Sequence, residues 1–160
     1  MTGAPDWLPD MFPVNPWNDQ TFKRLYGLFR DDFVDNRPRY RNFSIWFFPD
    51  MDDGKEKIFW HLTHRENKES GVRLPDFRRS ERLPWARPML EHPDEPEILD
   101  WDYEEGDGTV KTYVWLKDFD YIVILKKYPD DGRRIITAYW VEYGHEKRKL
   151  MKKYQRRIGP

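Results

Sequence analysis

Two imidazoles, an arginine cluster and a hydroxyl-bearing strand are the residues of this chain whose types and spacing could do chemistry. His61 and His64 sit at the end of the apolar run Ile58-Phe59-Trp60. An imidazole titrates near neutrality, so either could act as a general base or acid. His61 has the stronger claim, because it directly follows the run. Arg73, Arg78, Arg79 and Arg82 come next. On a helix Arg78 and Arg82 stand one turn apart and Arg79 lies three residues from Arg82. Two or three guanidinium groups would then face one site. That arrangement suits bidentate phosphate binding and the charge that builds on a phosphorane-like transition state. Near the C-terminus, strand parity puts Ile135, Thr137, Tyr139 and Val141 on one face. The Thr137 hydroxyl and Tyr139 phenol could bind a phosphate oxygen or orient a nucleophile. The run His145–Arg157 follows, with seven Lys or Arg and one acid, Glu146. It contributes Lys149, Lys152, Lys153 and Tyr154. Hydroxyls on a sheet beside concentrated positive charge make nucleic acid the first partner to test.

Each feature also has a plainer reading. Thr and Tyr are common strand residues. Arginines often pair with nearby carboxylates, here Asp76 and Glu81. A single histidine is often only a hydrogen-bonded structural residue.

Other chemistries are poorly supplied. The chain has no cysteine, which excludes disulfides, thiolate zinc sites and cysteine nucleophiles. No GxxxxGK[ST] loop or GxSxG elbow occurs. In a strand His61 and His64 would point to opposite faces, and further ligands at zinc spacing are missing. Pro75-Asp76 has no downstream E-x-K to complete a metal-nuclease pattern. Neither a metal nor a cofactor is expected.

The formal net charge is only −1, but the charges are segregated. Residues 91–108 hold nine acids and no Lys or Arg. They read as a solvated loop that either masks the basic face or docks a partner, and both alternatives stay open. Mean hydropathy is −0.98 and 36% of residues are charged, which alone would suggest partial disorder. The 17% aromatic content supports a folded, aromatic-rich core instead. The N-terminus lacks the pattern of a secretory leader, and no apolar run reaches membrane-spanning length. A soluble, cytoplasmic protein is expected.

The elements that must position these residues follow from periodicity. The 160 residues point to one domain. Residues 1–17, rich in Pro and Trp, read as an irregular arm. Segment 18–57 should hold a helix over 19–34, capped by Asn18 with Trp17 and Phe22 as a staple, and a strand over 43–48. Residues 57–64 read as the next strand. Asp76 should cap a short helix that Pro84 ends, with another turn or two over 85–91. Strands over 98–103, 110–116, 119–127 and 133–141 form an antiparallel meander, because their short connections leave no room for crossovers. A basic helix after Gly144 buries Leu150, Tyr154 and Ile158. The fold class is therefore α+β: an N-terminal helix and short helices packed on a twisted antiparallel meander, with a C-terminal basic helix.

Several short motifs together carry a resemblance. A His ends an apolar strand. Arg73 to Trp85 then reads R-x-P-D-x-R-R-x-x-R-L-P-W, and the meander contains Asp120-Tyr121-Ile122-Val123-Ile124-Leu125. The last strand has Ile136-Thr137-Ala138-Tyr139, and the basic helix ends in Lys152-Lys153-Tyr154. Over roughly residues 58–157 the chain resembles the barnase–EndoU–colicin–RelE grouping of nucleases, its phage- and toxin-associated branch in particular. The resemblance implies a metal-independent endoribonuclease, a toxin-type RNase that cleaves through the 2′-OH. It implies a catalytic set drawn from His61, His64, Arg79, Arg82, Thr137 and Tyr139. Arg73, Arg78, Lys149, Lys152, Lys153 and Tyr154 would bind the RNA substrate. An antitoxin or inhibitor protein is the partner such an RNase would have. The alternative is a non-catalytic nucleic-acid- or protein-binding module that uses the same basic surface.

Overall fold

Asn18 starts helix α1 (Asp19–Phe29), its side-chain oxygen accepting the Thr21 amide at 2.9 Å. Trp17 and Phe22 flank this cap with ring centroids 6.1 Å apart, as a hydrophobic staple requires. Thr21, Leu25 and Phe29 form the buried stripe, and a π-helical turn over Arg30–Asp35 extends it to Phe33. The structure, a computed structural model, describes residues 3–159. The arm over 3–17 lies along the molecule through its aromatics. Trp7 stacks on His92 at 5.3 Å, and the Phe12 amide donates to the Glu81 carbonyl at 2.7 Å.

The main sheet has six strands. They are β1 (Arg39–Tyr40), β2 (Phe43–Trp46), β7 (Ile98–Glu104), β8 (Val110–Leu116), β9 (Tyr121–Lys127) and β10 (Arg133–Trp140), in the order β1-β2-β10-β9-β8-β7. Every pairing is antiparallel except β2 with β10. The sheet curls until its two edges meet through side chains. Tyr40 on β1 donates its hydroxyl to Asp100 on β7, and Arg41 makes two further bonds to the same carboxylate. Two short hairpins complete the strands: β3 (Met51–Asp52) with β4 (Lys55–Glu56), and β5 (His64–Glu66) with β6 (Arg73–Pro75).

One sheet face packs on α1, α2 (Lys57–Thr63) and α3 (Phe77–Glu91). That core includes Phe29, Phe59, Leu83, Met89 and Leu125, all fully buried. The other face packs on α4 (Gly144–Gln155) through Trp101, Trp115, Ile122 and Leu150. The expected α+β class, with helices on a curled and mostly antiparallel sheet and a C-terminal basic helix, is the one observed. Among the described residues no helix is long and apolar enough to cross a membrane.

Four local expectations are corrected. Residues 57–63 are helical, not extended. Ile58, Phe59 and Leu62 satisfy a helical stripe as well as a short apolar run does, and burial against the sheet decides between them. Helix α3 runs unbroken through Pro84 and Pro88. The two prolines are four residues apart, so the bonds they remove lie on one side of the helix. The His92 ring, whose Nδ1 must carry the proton, donates to the Pro88 carbonyl at 2.7 Å. Strand β10 has a register shift between Ile135 and Thr137. That bulge turns Ile135 to the main core with Ala138, while Tyr139 and Val141 pack in the second. Finally, the acidic segment is not all solvated loop, because two of its carboxylates lie on the strand expected over 98–103. Asp100 and Asp102 project from β7 into pairs with Arg41, Lys127 and Arg133.

Candidate functional site

Helix α2 ends at Thr63, and the β5–β6 hairpin turns the chain back into α3. Two bonds to the Thr63 carbonyl hold this junction closed, the Asp76 amide at 3.0 Å and the Ser80 hydroxyl at 2.9 Å. Asp76 caps α3 by accepting the Arg79 amide at 3.1 Å. The cap directs the Arg79 side chain back across the junction. Its Nη1 donates to the His61 carbonyl at 2.8 Å and more weakly to that of His64 at 3.4 Å. Its Nε lies 3.2 Å from Asp76 Oδ2, and its guanidinium sits 5.7 Å from the Tyr139 ring centroid.

The meeting place is an open strand edge. Strand β2 pairs with β10 only at Arg133 and Arg134. Beyond that point α2 lies against β10, and the Thr137 hydroxyl reaches the His61 carbonyl at 3.5 Å. His61, Arg79, Thr137 and Tyr139, up to 78 positions apart by their numbers, therefore converge along one edge.

A chain of cavities follows this edge. The first, of about 540 Å³, is lined by Lys57, His61, Arg65, Lys68, Arg73 and Arg79 among others, with carboxylates only from Asp52 and Glu66. Arg65 and Arg79 also line the second, about 460 Å³, where Arg78, Tyr139 and Trp140 join them opposite the carboxylates of Asp76, Glu142 and Glu146. Tyr139 continues into a third, about 480 Å³, with His145, Lys149 and Lys153. Among the described residues Lys57, Arg65 and Lys149 form no ion pair. Of these three unpaired cations only Lys149 was marked by the sequence; Lys57 and Arg65 join it from positions whose spacing gave no signal.

His61 on α2 and His64 at the start of β5 part company here. The His61 side chain is exposed on the cleft, and partial burial with the nearby charges of Arg79 and Arg73 lowers its pKa. It is neutral at neutral pH, the state a general base needs. His64 is buried among Trp17, Phe22, Phe59 and Trp60. Burial, helped by Arg73, pushes its pKa down to about 4. Its Nδ1 is 2.7 Å from the Thr63 hydroxyl, which itself donates to the Phe59 carbonyl. His64 is packing first.

The remaining candidates divide in the same way. Arg82 is withdrawn from the cleft, 9% exposed and flanked by Trp85 and Trp140. Arg73 lies over the Trp60 ring at 4.2 Å and pairs with Asp52 and Asp53. Arg78 is exposed, over Trp140 at 5.2 Å. Burial opposes the charge of Lys153, but bonds to Tyr113 and Glu105, each at 2.9 Å, prevail and raise its pKa. Glu105 thus masks one cation of the basic helix from within. Tyr154 packs edge-on to Trp101 at 5.5 Å. Lys152 is exposed and lines none of these cavities. Burial raises the Tyr139 pKa, with the Glu146 carboxylate adding to it, so the phenol keeps its proton.

No cluster of three or more His, Cys, Asp or Glu able to hold a metal occurs among the described residues. The cleft offers a neutral imidazole, a protonated phenol and free cations along one edge. That set can bind a polyanion and can move protons at either end of a phosphodiester. Comparison with protein-family models, curated proteins and solved structures gives no match to this chain.

Proposed function

We propose that this protein is a metal-independent endoribonuclease whose active cleft is the open edge of β10. The observation that carries the reading is the convergence of His61, Arg79 and the Thr137–Tyr139 strand, three segments remote in sequence, on one cation-lined surface. Thr137 touches the His61 backbone and lies two residues, about 7 Å, from Tyr139. A phosphodiester laid along this edge would have a base at one end and an acid at the other. The neutral His61 imidazole removes the 2′ proton. The freed oxygen attacks the adjacent phosphorus in line and leaves a 2′,3′-cyclic phosphate. Tyr139, or His145 beside it in the third cavity, gives a proton to the departing 5′ oxygen. Arg65 and Arg78 neutralise the developing charge. Arg79, already committed to carbonyls and Asp76, positions α2 rather than meeting the phosphate. The reading extends to a toxin-type RNase of the cytoplasm, checked by an antitoxin or inhibitor protein.

A second reading has its own observation. With Arg79 engaged, His64 buried and Arg82 withdrawn, few of the catalytic groups are poised, and the same cleft would serve as a non-catalytic RNA-binding surface. One experiment separates the two. Purified protein is incubated with several RNAs in EDTA, beside His61→Ala and Tyr139→Phe variants. Cleavage leaving 2′,3′-cyclic ends, lost in His61→Ala and absent on 2′-deoxy substrates, supports the enzyme. Salt-dependent binding without cleavage by the wild type would leave the second reading. Absence of binding would refute both.

A further inference from the structure

Between the exit of β2, helix α2 and the bulged part of β10 lies a smaller cavity of about 280 Å³. Phe47, Ile58, Ile135 and Ile136 supply its apolar lining, with the carboxylate of Asp50 and the cation of Lys57 among its polar groups. That volume lies just below the roughly 300–1,000 Å³ typical of small-molecule clefts. A single ring system fits such a space; a helix or strand does not.

Three features of its rim narrow the occupant. Phe48 is 49% exposed, unusual for so large an apolar side chain, yet its ring is held in place. Trp46 meets it edge-on at 5.3 Å, and the Arg134 guanidinium lies 4.5 Å from its centroid. Arg134 is fixed in turn by a bond from Nε to the Tyr128 hydroxyl at 3.0 Å. An aromatic held beside an arginine is a ready stacking platform with little side-chain entropy left to lose. The second feature is the strand. No β2 partner pairs with β10 beyond Arg134, so at the bulge the edge of β10 away from β9 borders the cavity without a partner strand. Its amide and carbonyl groups can address the polar edge of a planar ring. The third is continuity. Lys57 and His61 line both this cavity and the cation-rich one beside it. A ring seated here would leave its phosphate at His61.

We propose that this cavity is a nucleobase subsite, taking one unpaired base of an RNA strand whose phosphate lies in the adjoining cleft. The proposal rests on the RNA reading above and deepens it, because a base inside a duplex cannot enter such a cavity. The substrate class is therefore single-stranded RNA.

The test uses binding, so that it does not depend on cleavage. Wild-type protein is titrated with a 2′-O-methylated RNA, which offers no free 2′-OH and cannot be cut, as a single strand and as a duplex over a range of salt. Phe48→Leu, Phe48→Trp and Lys57→Ala variants are compared, with thermal melts to show that each is folded. The expected results are preference for the single strand, loss of about 5- to 150-fold in Phe48→Leu, and retention in Phe48→Trp. The salt slope should be unchanged in Phe48→Leu and shallower in Lys57→Ala. A 2-aminopurine in the strand should be quenched by the wild type and not by Phe48→Leu. If RNA binds but Phe48→Leu leaves affinity, strand preference and quenching unchanged, the subsite is wrong while the RNA cleft stands. If the wild type binds no RNA, the cleft reading itself fails and takes the subsite with it.

Discussion

His64 offers a sharp test of the division between packing and chemistry. The residue is 7% exposed, and its ring has four aromatic neighbours at centroid distances of 4.9 to 6.3 Å. Because the Thr63 hydroxyl spends its hydrogen on Phe59, Nδ1 of His64 carries the ring's proton and donates to Thr63. Charging the ring would place a cation in this apolar box, and the pKa falls to about 4. In the unfolded chain the same ring titrates near ~6.5. Between these values the unfolded chain binds more protons than the folded one, so protonation favours unfolding. The contribution is therefore whole above ~6.5 and is lost as pH falls toward 4. At about 1.4 kcal/mol per pKa unit, the full loss is ~3 kcal/mol, with 2–3 of it gone by pH ~4.5. Such a loss is a large part of the ~5–15 kcal/mol that holds a domain folded. Carboxylates also titrate in this window, so the difference from His64→Asn is the informative quantity. Asn keeps a donor toward Thr63 and cannot ionise. Urea denaturation from pH 7 to 4.5 should show the wild type losing ~2–3 kcal/mol more than the variant. Parallel stability curves, or a His64 proton resonance titrating near ~6.5, would refute the buried, neutral assignment.

Other perturbations read the remaining parts. Arg79→Met should cost ~1.5–3 kcal/mol in urea denaturation, the worth of a charge-assisted bond to the His61 carbonyl. It should also move the His61 titration upward by NMR, because the Arg79 charge helps to hold it down. Asp102 accepts Thr112 at 2.6 Å and Lys127 at 3.2 Å beside the buried Arg133. Asp102→Ala should destabilise by about 3 kcal/mol in the same assay by stranding that guanidinium. If the cleft cleaves RNA, the acid limb of its pH–rate profile should have its midpoint below ~6.5, since His61 stays neutral to lower pH than a free imidazole.

The meander was legible because strands joined by short turns can pair in only one way, and Val110–Leu116 falls where its β-branched and aromatic run and its flanking turns place it. Helix α1 was legible through its cap and stripe. Helix α2 was not, because seven residues with four apolar positions satisfy either period, and only the sheet beneath them selects one. The Ile136 bulge was equally silent. It shifts register without a glycine or proline to announce it, so Ile135 could not be separated from Thr137 by parity. For the site, residue type pointed to His61, Arg79, Thr137 and Tyr139, whose side chains and backbones do meet. Type could not separate His61 from His64, because the aromatic box around His64 draws on Trp17 and Phe22 from a segment far upstream. Nor did it find Lys57 and Arg65, ordinary surface cations until the open edge gives them a common cleft.

The edge itself explains why fold and site are inseparable here. A strand left unpaired beyond Arg134 is an aggregation hazard unless something covers it. Helix α2 supplies that cover, and it is held against β10 by an arginine whose own helix is capped by Asp76. The arrangement that guards the edge also delivers an imidazole, a hydroxyl and a phenol to it. Tightening the cover would close the cleft, and loosening it would expose the strand. Arg79→Lys isolates this balance. It keeps the charge but loses the fork that reaches a carbonyl and the Asp76 carboxylate together. If α2 serves only as a cover, such a variant should lose stability alone. If it also presents His61, the variant should shift the His61 titration and weaken RNA binding by more than its stability loss accounts for.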